Sequence, residues 1–321
     1  MTSPNNLPAE VSSFVGREQQ LAELRRLLHR SRLITLTGPG GAGKTRLALR
    51  LAGEVMDHYP DGVRLVELAP VTDSRLLEQT VATAFGAREQ RRHTIVEVLL
   101  QTLATSRTLL VLDGCEHLVE SCADLVGRML QACPRLTVIV TSREPLGLTG
   151  EVIWRTPSLT VPPAGDGDRP ELLMQSEAVR LFVERARLSR PGLELDSSSS
   201  PAVAQICARL EGIPLAIELA AGLARVLTFE DILKHIDRES EHFVIRRETH
   251  RHSGREVTVV ESHRPTKDES WLRELARRLK ETLGTGGDVE DGRIVLHGDH
   301  RDKAMAELVK MGFSEDNIEV I

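Results

Sequence analysis

The stretch Gly38-Pro39-Gly40-Gly41-Ala42-Gly43-Lys44-Thr45 follows the apolar run Leu33 to Leu36 and leads into a helix opening at Lys44. One task accounts for its composition. Glycines let the backbone wrap a bulky anion closely with N–H groups turned inward, and a helix N-terminus adds the positive end of its dipole. At this spacing Lys44 reaches β- and γ-phosphates, and the Thr45 hydroxyl reaches a magnesium ion. The segment therefore implies a nucleoside triphosphate with Mg2+. Gly38, Gly40, Gly41, Gly43, Lys44 and Thr45 are its candidate cofactor-binding residues. The competing reading is an ordinary Gly-rich strand-to-helix turn, which rarely needs both Lys and Thr at those offsets.

Working outward, short apolar β-rich runs at Leu33–Thr37, Val63–Leu68, Leu109–Leu112, Leu136–Thr141 and Val152–Trp154 alternate with helical stretches. Near-continuous apolar strands separated by helices predict a parallel sheet with helices on both faces, the α/β fold of P-loop NTPases. This nucleotide-binding domain is expected over 1–156. A Pro/Gly/Asp-rich stretch, 157–170, reads as a linker. Apolar residues at helical spacing, from Ala178, Leu181 and Phe182 to Leu215, Leu219 and Leu223, predict a small helical domain over 171–238.

The pattern changes near Arg238. Phe243–Thr249 and Glu256–Glu261 alternate with the period of strands, with Ser253-Gly254 expected at the hairpin tip. Leu272, Leu275, Ala276, Leu279 and Leu283 mark one helix face. A second hairpin, Asp288–Gly298, turns at Asp291-Gly292, before a helix from about Asp299 and a strand Asn317–Ile321. The order strand, strand, helix, strand, strand, helix, strand predicts a separate α+β open-faced sandwich domain over 239–321.

Two further segments bear on the nucleotide. Leu109-Leu110-Val111-Leu112-Asp113 is an apolar strand ending in a carboxylate at the ligand edge of a parallel sheet, which makes Asp113, with Thr45, the candidate magnesium ligand. Glu116 is a candidate to orient an attacking water, with a solvated loop acid as the alternative. Arg143 ends the strand Val138–Thr141 on the same edge. It is a candidate sensor of the γ-phosphate, with a structural salt bridge as the alternative. Asp113, Glu116 and Arg143 form the candidate catalytic set.

At 321 residues, 40% hydrophobic and 27% charged, the composition is that of an ordered globular protein with room for two domains. A net charge of −6 gives no global attraction to nucleic acid or to an anionic membrane. No apolar run approaches a membrane span and Met1 to Glu10 lacks the pattern of a leader, so a cytoplasmic protein with no membrane partner is expected. Cys115, Cys122, Cys133 and Cys207 form no Cys-x-x-Cys pair and are expected to be buried, reduced thiols.

Phe14-Val15-Gly16-Arg17-Glu18, the phosphate loop, Leu112-Asp113-Gly114-Cys115-Glu116-His117, Thr141-Ser142-Arg143-Glu144-Pro145-Leu146-Gly147 and Gly212-Ile213-Pro214-Leu215-Ala216 occur in that order. Together they resemble the motif set of STAND-class ATPases, more narrowly the NB-ARC-like module of large bacterial transcriptional regulators, over about 6–237. The resemblance implies that Val15 and Arg17 lie near adenine and that Pro214 approaches the nucleotide from the helical domain. It also implies a switch held by ADP and released by exchange for ATP, with ATP hydrolysis of low turnover. Gly114 departs from the Asn or Asp usual in the family, which puts hydrolysis in doubt. The winged-helix domain with its ADP-sensing His does not follow Asp237, nor does a helix-turn-helix output domain, so DNA is not an expected partner.

Val257-Thr258-Val259-Val260-Glu261, Leu279-Lys280-Glu281, Gly284-Thr285-Gly286-Gly287, Asp291-Gly292-Arg293-Ile294, Gly298-Asp299-His300-Arg301 and Asn317-Ile318-Glu319-Val320 are similar to eukaryotic translation initiation factor one and its bacterial and archaeal relatives. That similarity covers about 242–321 and implies binding to the small ribosomal subunit or its rRNA. Arg246, Arg247, Arg251 and Arg255 around the first hairpin are candidate RNA contacts. A solvated hairpin is the alternative, since Glu248 and Glu256 dilute the charge. Three readings stand at this point: a switch or slow ATPase coupled to a ribosome-binding domain, an inert nucleotide-filled scaffold carrying an RNA-binding module, and an artificial or accidental fusion of unrelated modules.

Overall fold

The computed structural model describes residues 5–89, 92–163, 169–239, 241–250, 256–262 and 269–321. The chain divides into two compact units, Met1–Gly222 and Leu223–Ile321.

The first unit begins with α1 (Glu18–Leu28), β1 (Leu33–Thr37), α2 (Lys44–Glu54), β2 (Val63–Glu67), α3 (Leu77–Ala84), α4 (Ile95–Leu103), β3 (Leu109–Asp113), α5 (Val119–Ala132), β4 (Thr137–Thr141) and β5 (Glu151–Arg155). The five strands form one sheet in the order β2-β3-β4-β1-β5, and every pairing is parallel. All five residues of β1 and of β4 are buried, as strands covered on both faces require. Alternate residues feed two cores. Leu110, Leu112, Val138 and Val140 pack with α3, α4 and α5, while Ile34, Leu36, Val111 and Ile139 pack with α1 and α2. Each fully buried aliphatic side chain contributes about 1.5–3 kcal/mol. This double burial fixes the register, so that the ends of β1, β3 and β4 bring Thr37, Asp113 and Thr141 to one edge.

A helical part follows: α6 (Pro170–Leu173), α7 (Glu177–Ser189), α8 (Ser200–Arg209) and α9 (Pro214–Gly222). Ser176 caps α7 by accepting from the Val179 N–H at 3.5 Å. Ahead of α8, Asp196 accepts from the backbone N–H groups of Ser198 and Ser199 at 3.1 and 2.8 Å. Hydrogen bonds from Ser199 first, then Ser198, bring its carboxyl down to about 2.

The second unit contains α10 (Phe229–Glu239), β6 (Phe243–Thr249), β7 (Glu256–Ser262), α11 (Glu269–Leu283), β8 (Gly287–Glu290), β9 (Arg293–His297), α12 (Arg301–Lys310) and β10 (Ile318–Val320). Its sheet runs β10-β6-β7-β9-β8. Only the β10–β6 pairing among these is parallel. Phe243, Ile245, Val260, Ile294 and Leu296 pack beneath Leu272, Leu275 and Leu279 of α11 and Leu308 of α12. Asp291 and Gly292 both take positive φ, 49° and 74°, as a two-residue hairpin turn demands. The expected hairpin tip at Ser253-Gly254 lies outside the described residues. The helix α10, which the sequence reading places in the helical domain, falls in the second unit by this division. Ahead of α12, Asp299 pairs with the Arg301 guanidinium at 3.0 Å and accepts from the Arg301 N–H at 3.4 Å, while His300 precedes the helix without a side-chain cap.

Candidate functional site

The phosphate-loop sequence folds as its glycines require. Gly41 and Gly43 take φ of 75° and 85°, and Gly43 is the N-terminal boundary of α2, where no side chain caps the helix. The free N–H groups of that first turn open onto a cavity of about 420 Å³. Gly40, Gly41, Gly43, Lys44 and Thr45 line it, as do Val15, Arg17, Glu116 and Pro214. Lys44 Nζ lies in the curl of the loop and donates to the carbonyls of Gly38 and Pro39 at 2.9 and 3.0 Å. Its pKa is lowered chiefly by burial; Glu116 and Asp113 oppose that shift and Arg143 adds to it.

Asp113 stands at the end of β3. Its Oδ1 accepts from the hydroxyls of Thr45 and Thr141, each at 2.6 Å, and the Gly114 N–H donates to the Thr141 hydroxyl at 2.9 Å. The oxygens of Thr45 and Asp113 thus meet beside Lys44, a donor set suited to a hard cation that also takes phosphate oxygens. Arg143 is largely exposed and its Nε lies 4.0 Å from Glu116 Oε1.

The helical part closes the other side. The Leu215 N–H donates to the Gly41 carbonyl at 3.2 Å. A Cβ added at Gly41 would lie 3.0 Å from that of Leu215, and one at Gly43 would lie 3.7 Å from Pro214 Cγ. Arg17 sits in the left-handed region, φ 66°, only 3% exposed. Its Nη2 donates to the carbonyls of Ala42 and Pro157 at 2.7 and 3.0 Å. Its Nη1 is buried without a hydrogen-bond partner. Burial lowers the Arg17 pKa, with Glu177 opposing. A buried donor left over beside a glycine loop fits an anionic ligand.

Several residues here were not singled out from sequence. Glu177, at the start of α7, accepts from the Arg17 N–H at 2.5 Å and the Thr160 N–H at 3.0 Å. In sequence it reads only as an acid in the first turn of a helix. Thr141 opens the quoted segment Thr141–Gly147, but nothing in sequence marks it as a partner of Asp113. Arg46, Arg185 and Glu218, which meet across three helices, sit at unrelated sequence positions.

The candidate RNA contacts are less open than the sequence suggests. Arg246 is paired with Glu248 at 2.5 Å and Glu261 at 2.6 Å, and Arg247 with Glu256 at 3.0 Å. Arg251 and Arg255 lie outside the described residues. The four cysteines are buried and free. Among the described residues no helix is long and apolar enough to cross a membrane, and no group of three or more His, Cys, Asp or Glu side chains could hold a metal ion.

Comparison with known proteins matches this two-part construction. Residues 24–149 match the family model described as AAA domain, and residues 239–314 the model of translation initiation factor SUI1. An HTH-type transcriptional regulator of Mycobacterium tuberculosis is 42% identical over 214 residues, 67% of this chain and 23% of the regulator. The chain thus spans about a quarter of that relative's length. A protein translation factor SUI1 homolog of Sulfolobus acidocaldarius is 44% identical over 91 residues, 28% of this chain and 89% of that protein. A STAND protein with a tetratricopeptide repeat sensor from Pyrococcus horikoshii aligns with TM-score 0.45 at 13% identity, over 97% of this chain and 46% of its own. The chain joins an AAA-type P-loop domain to a SUI1 domain. Through its C-terminal residues it belongs to the SUI1 translation initiation factor family.

Proposed function

We propose that the chain is a nucleotide switch of the STAND, NB-ARC-like type. On this reading its first unit holds ATP or ADP with Mg2+ and hydrolyses ATP slowly, and its SUI1 domain binds the small ribosomal subunit. The observation that carries the nucleotide half is the meeting of Thr45 and Asp113, 2.6 Å apart, beside Lys44 at the mouth of an uncapped helix. Gly38, Gly40, Gly41 and Gly43 shape the cradle. Lys44 and the first-turn N–H groups of α2 take the phosphates, and Thr45 and Asp113 hold the metal, which when bound neutralises phosphate charge. Val15, Arg17 and Pro214 enclose the nucleotide, Glu116 orients water, and Arg143 reads the terminal phosphate. The ribosomal half rests on the family of the SUI1 domain. A cytoplasmic location follows from that partner.

The test is nucleotide content and ATP turnover of the full chain beside Lys44→Ala, with and without small ribosomal subunits. Turnover by wild type that changes on adding subunits, and is absent from Lys44→Ala, supports the switch. A second reading, a scaffold that holds ADP without turning ATP over, is favoured by Gly114, which offers no side chain beside Asp113 to position water. Tightly held ADP with no turnover in either condition would select it.

A further inference from the structure

The segment before Phe14 is held by two arginines from different layers. Arg46, on α2 just past the phosphate loop, donates through Nη2 to the carbonyls of Ser12 and Ser13 at 3.0 and 2.8 Å. Arg185, on α7 and 9% exposed along its side chain, donates through Nη2 to the same Ser13 carbonyl at 2.8 Å and through Nη1 to the Ser13 hydroxyl at 3.1 Å. One carboxylate oxygen joins the two arginines: Glu218 Oε1, on α9, accepts from Arg46 Nη1 and from Arg185 Nε, each at 3.0 Å.

The consequence concerns the cavity wall. Ser12 and Ser13 are continuous with Phe14 and Val15, which line the cavity together with Arg46 and Glu218. Moving α9 away from α2 breaks the Arg46–Glu218 contact, which is the one side-chain ion pair among the described residues that joins these two helices. Glu218 is partly shielded, so that contact is less screened than a fully exposed pair.

We infer that Glu218 is a positioning residue: by gripping Arg46 and Arg185 together it holds the Ser12–Val15 wall shut and sets the rate at which nucleotide leaves. The inference rests on the nucleotide-binding reading of the same cavity. An interaction that must break on exit but is not needed for encounter acts on dissociation more than on association.

The experiment follows release of the fluorescent probe mant-ADP from the full chain on chasing with excess ADP. Glu218→Gln and Arg46→Met are each expected to speed release about tenfold and to leave the association rate within about twofold. The double variant should release more slowly than the product of the two single effects predicts, since both variants remove the shared Arg46–Glu218 contact while each also removes contacts of its own. Glu10→Gln serves as comparison. It loosens the exposed Glu10–Arg50 pair, which ties the same segment to α2 alone, and should leave release unchanged. Wild-type release rates in both single variants, or single effects that multiply in the double variant, would overturn the inference while the nucleotide reading stands. Failure of wild type to bind mant-ADP would overturn both.

Discussion

Thr45 and Asp113, 68 residues apart in sequence, share a hydrogen bond of 2.6 Å, and the same carboxylate oxygen also takes the Thr141 hydroxyl. Two hydroxyls on one oxygen leave the other free to face a cation, and they fix the carboxylate in one rotamer. Asp113→Asn and Thr45→Ala are therefore expected to lower the gain in ATP affinity that Mg2+ confers by about 10–100-fold, with less effect on affinity measured in EDTA. Titration with mant-ATP in the presence and absence of Mg2+ checks this. Equal losses in both conditions would place Asp113 outside the metal site.

Lys44 supplies the second prediction through its pKa, which burial lowers from 10.5. On the proposed nucleotide-binding reading it is the protonated form that binds phosphate, so affinity is full below the lowered pKa and is lost as pH rises through it. ADP binding should weaken on the alkaline side at a midpoint below 10.5. Saturating ADP at about one hundred times its Kd should stabilise wild type by about 2.7 kcal/mol, and Lys44→Ala should show no ADP-dependent shift in its thermal midpoint.

Much of this was legible from residue order. The five strands of the first unit and the seven elements from Phe243 onward fall where apolar periodicity and turn residues put them, because both sheets bury side chains in patterns that leave a linear trace. The fold of the phosphate loop was legible because a turn with positive φ at Gly41 and Gly43 leading into α2 needs glycine. Glu177, Glu218 and Arg185 were not. Each acts through a contact made by tertiary folding, with Glu177 and Arg17 lying 160 residues apart, and a lone charge on a helix carries no mark of its partner. For Arg246 the nearby Glu248 is legible in sequence as an acid that dilutes the charge, whereas its second partner, Glu261, belongs to the next strand and is not.

The junction of the helical part with the segment that follows β5 depends on a glycine. Gly212 has φ 67°, and a Cβ there would lie 2.1 Å from the Leu159 carbonyl oxygen, a backbone atom that cannot swing away. Its own carbonyl accepts from the Leu159 N–H at 2.9 Å. Gly212→Ala is expected to destabilise the first unit by more than about 3 kcal/mol, against about 1 kcal/mol for Gly86→Ala, from its left-handed backbone alone. Gly86 has a similar φ of 71° and open space around it. Urea unfolding of both variants gives the comparison. Equal losses would mean that the segment around Leu159 yields and that the contact is soft.

The last prediction separates the two arginines of β6. Arg246 lies between Glu248 and Glu261, and those two carboxylates, through hydrogen bonds first, raise its pKa. Its charge is already matched, so Arg246→Ala should change RNA affinity little and stability by no more than about 1 kcal/mol. Arg247 is about half exposed, 53%, and its contacts to Glu256 and Asp299 at 3.0 and 3.9 Å are open to solvent. A phosphate can compete for such a guanidinium because the existing pairs are weakly held and screened. If the SUI1 domain meets ribosomal RNA through this strand, Arg247→Ala should weaken binding of the full chain to small ribosomal subunits and reduce the slope of log affinity against log salt by about one. Binding assays from low to physiological salt measure both quantities. An unchanged slope with Arg247→Ala would direct the RNA contact to another face of the sheet, whereas a loss with Arg246→Ala instead would mean that its carboxylate partners are displaced on binding.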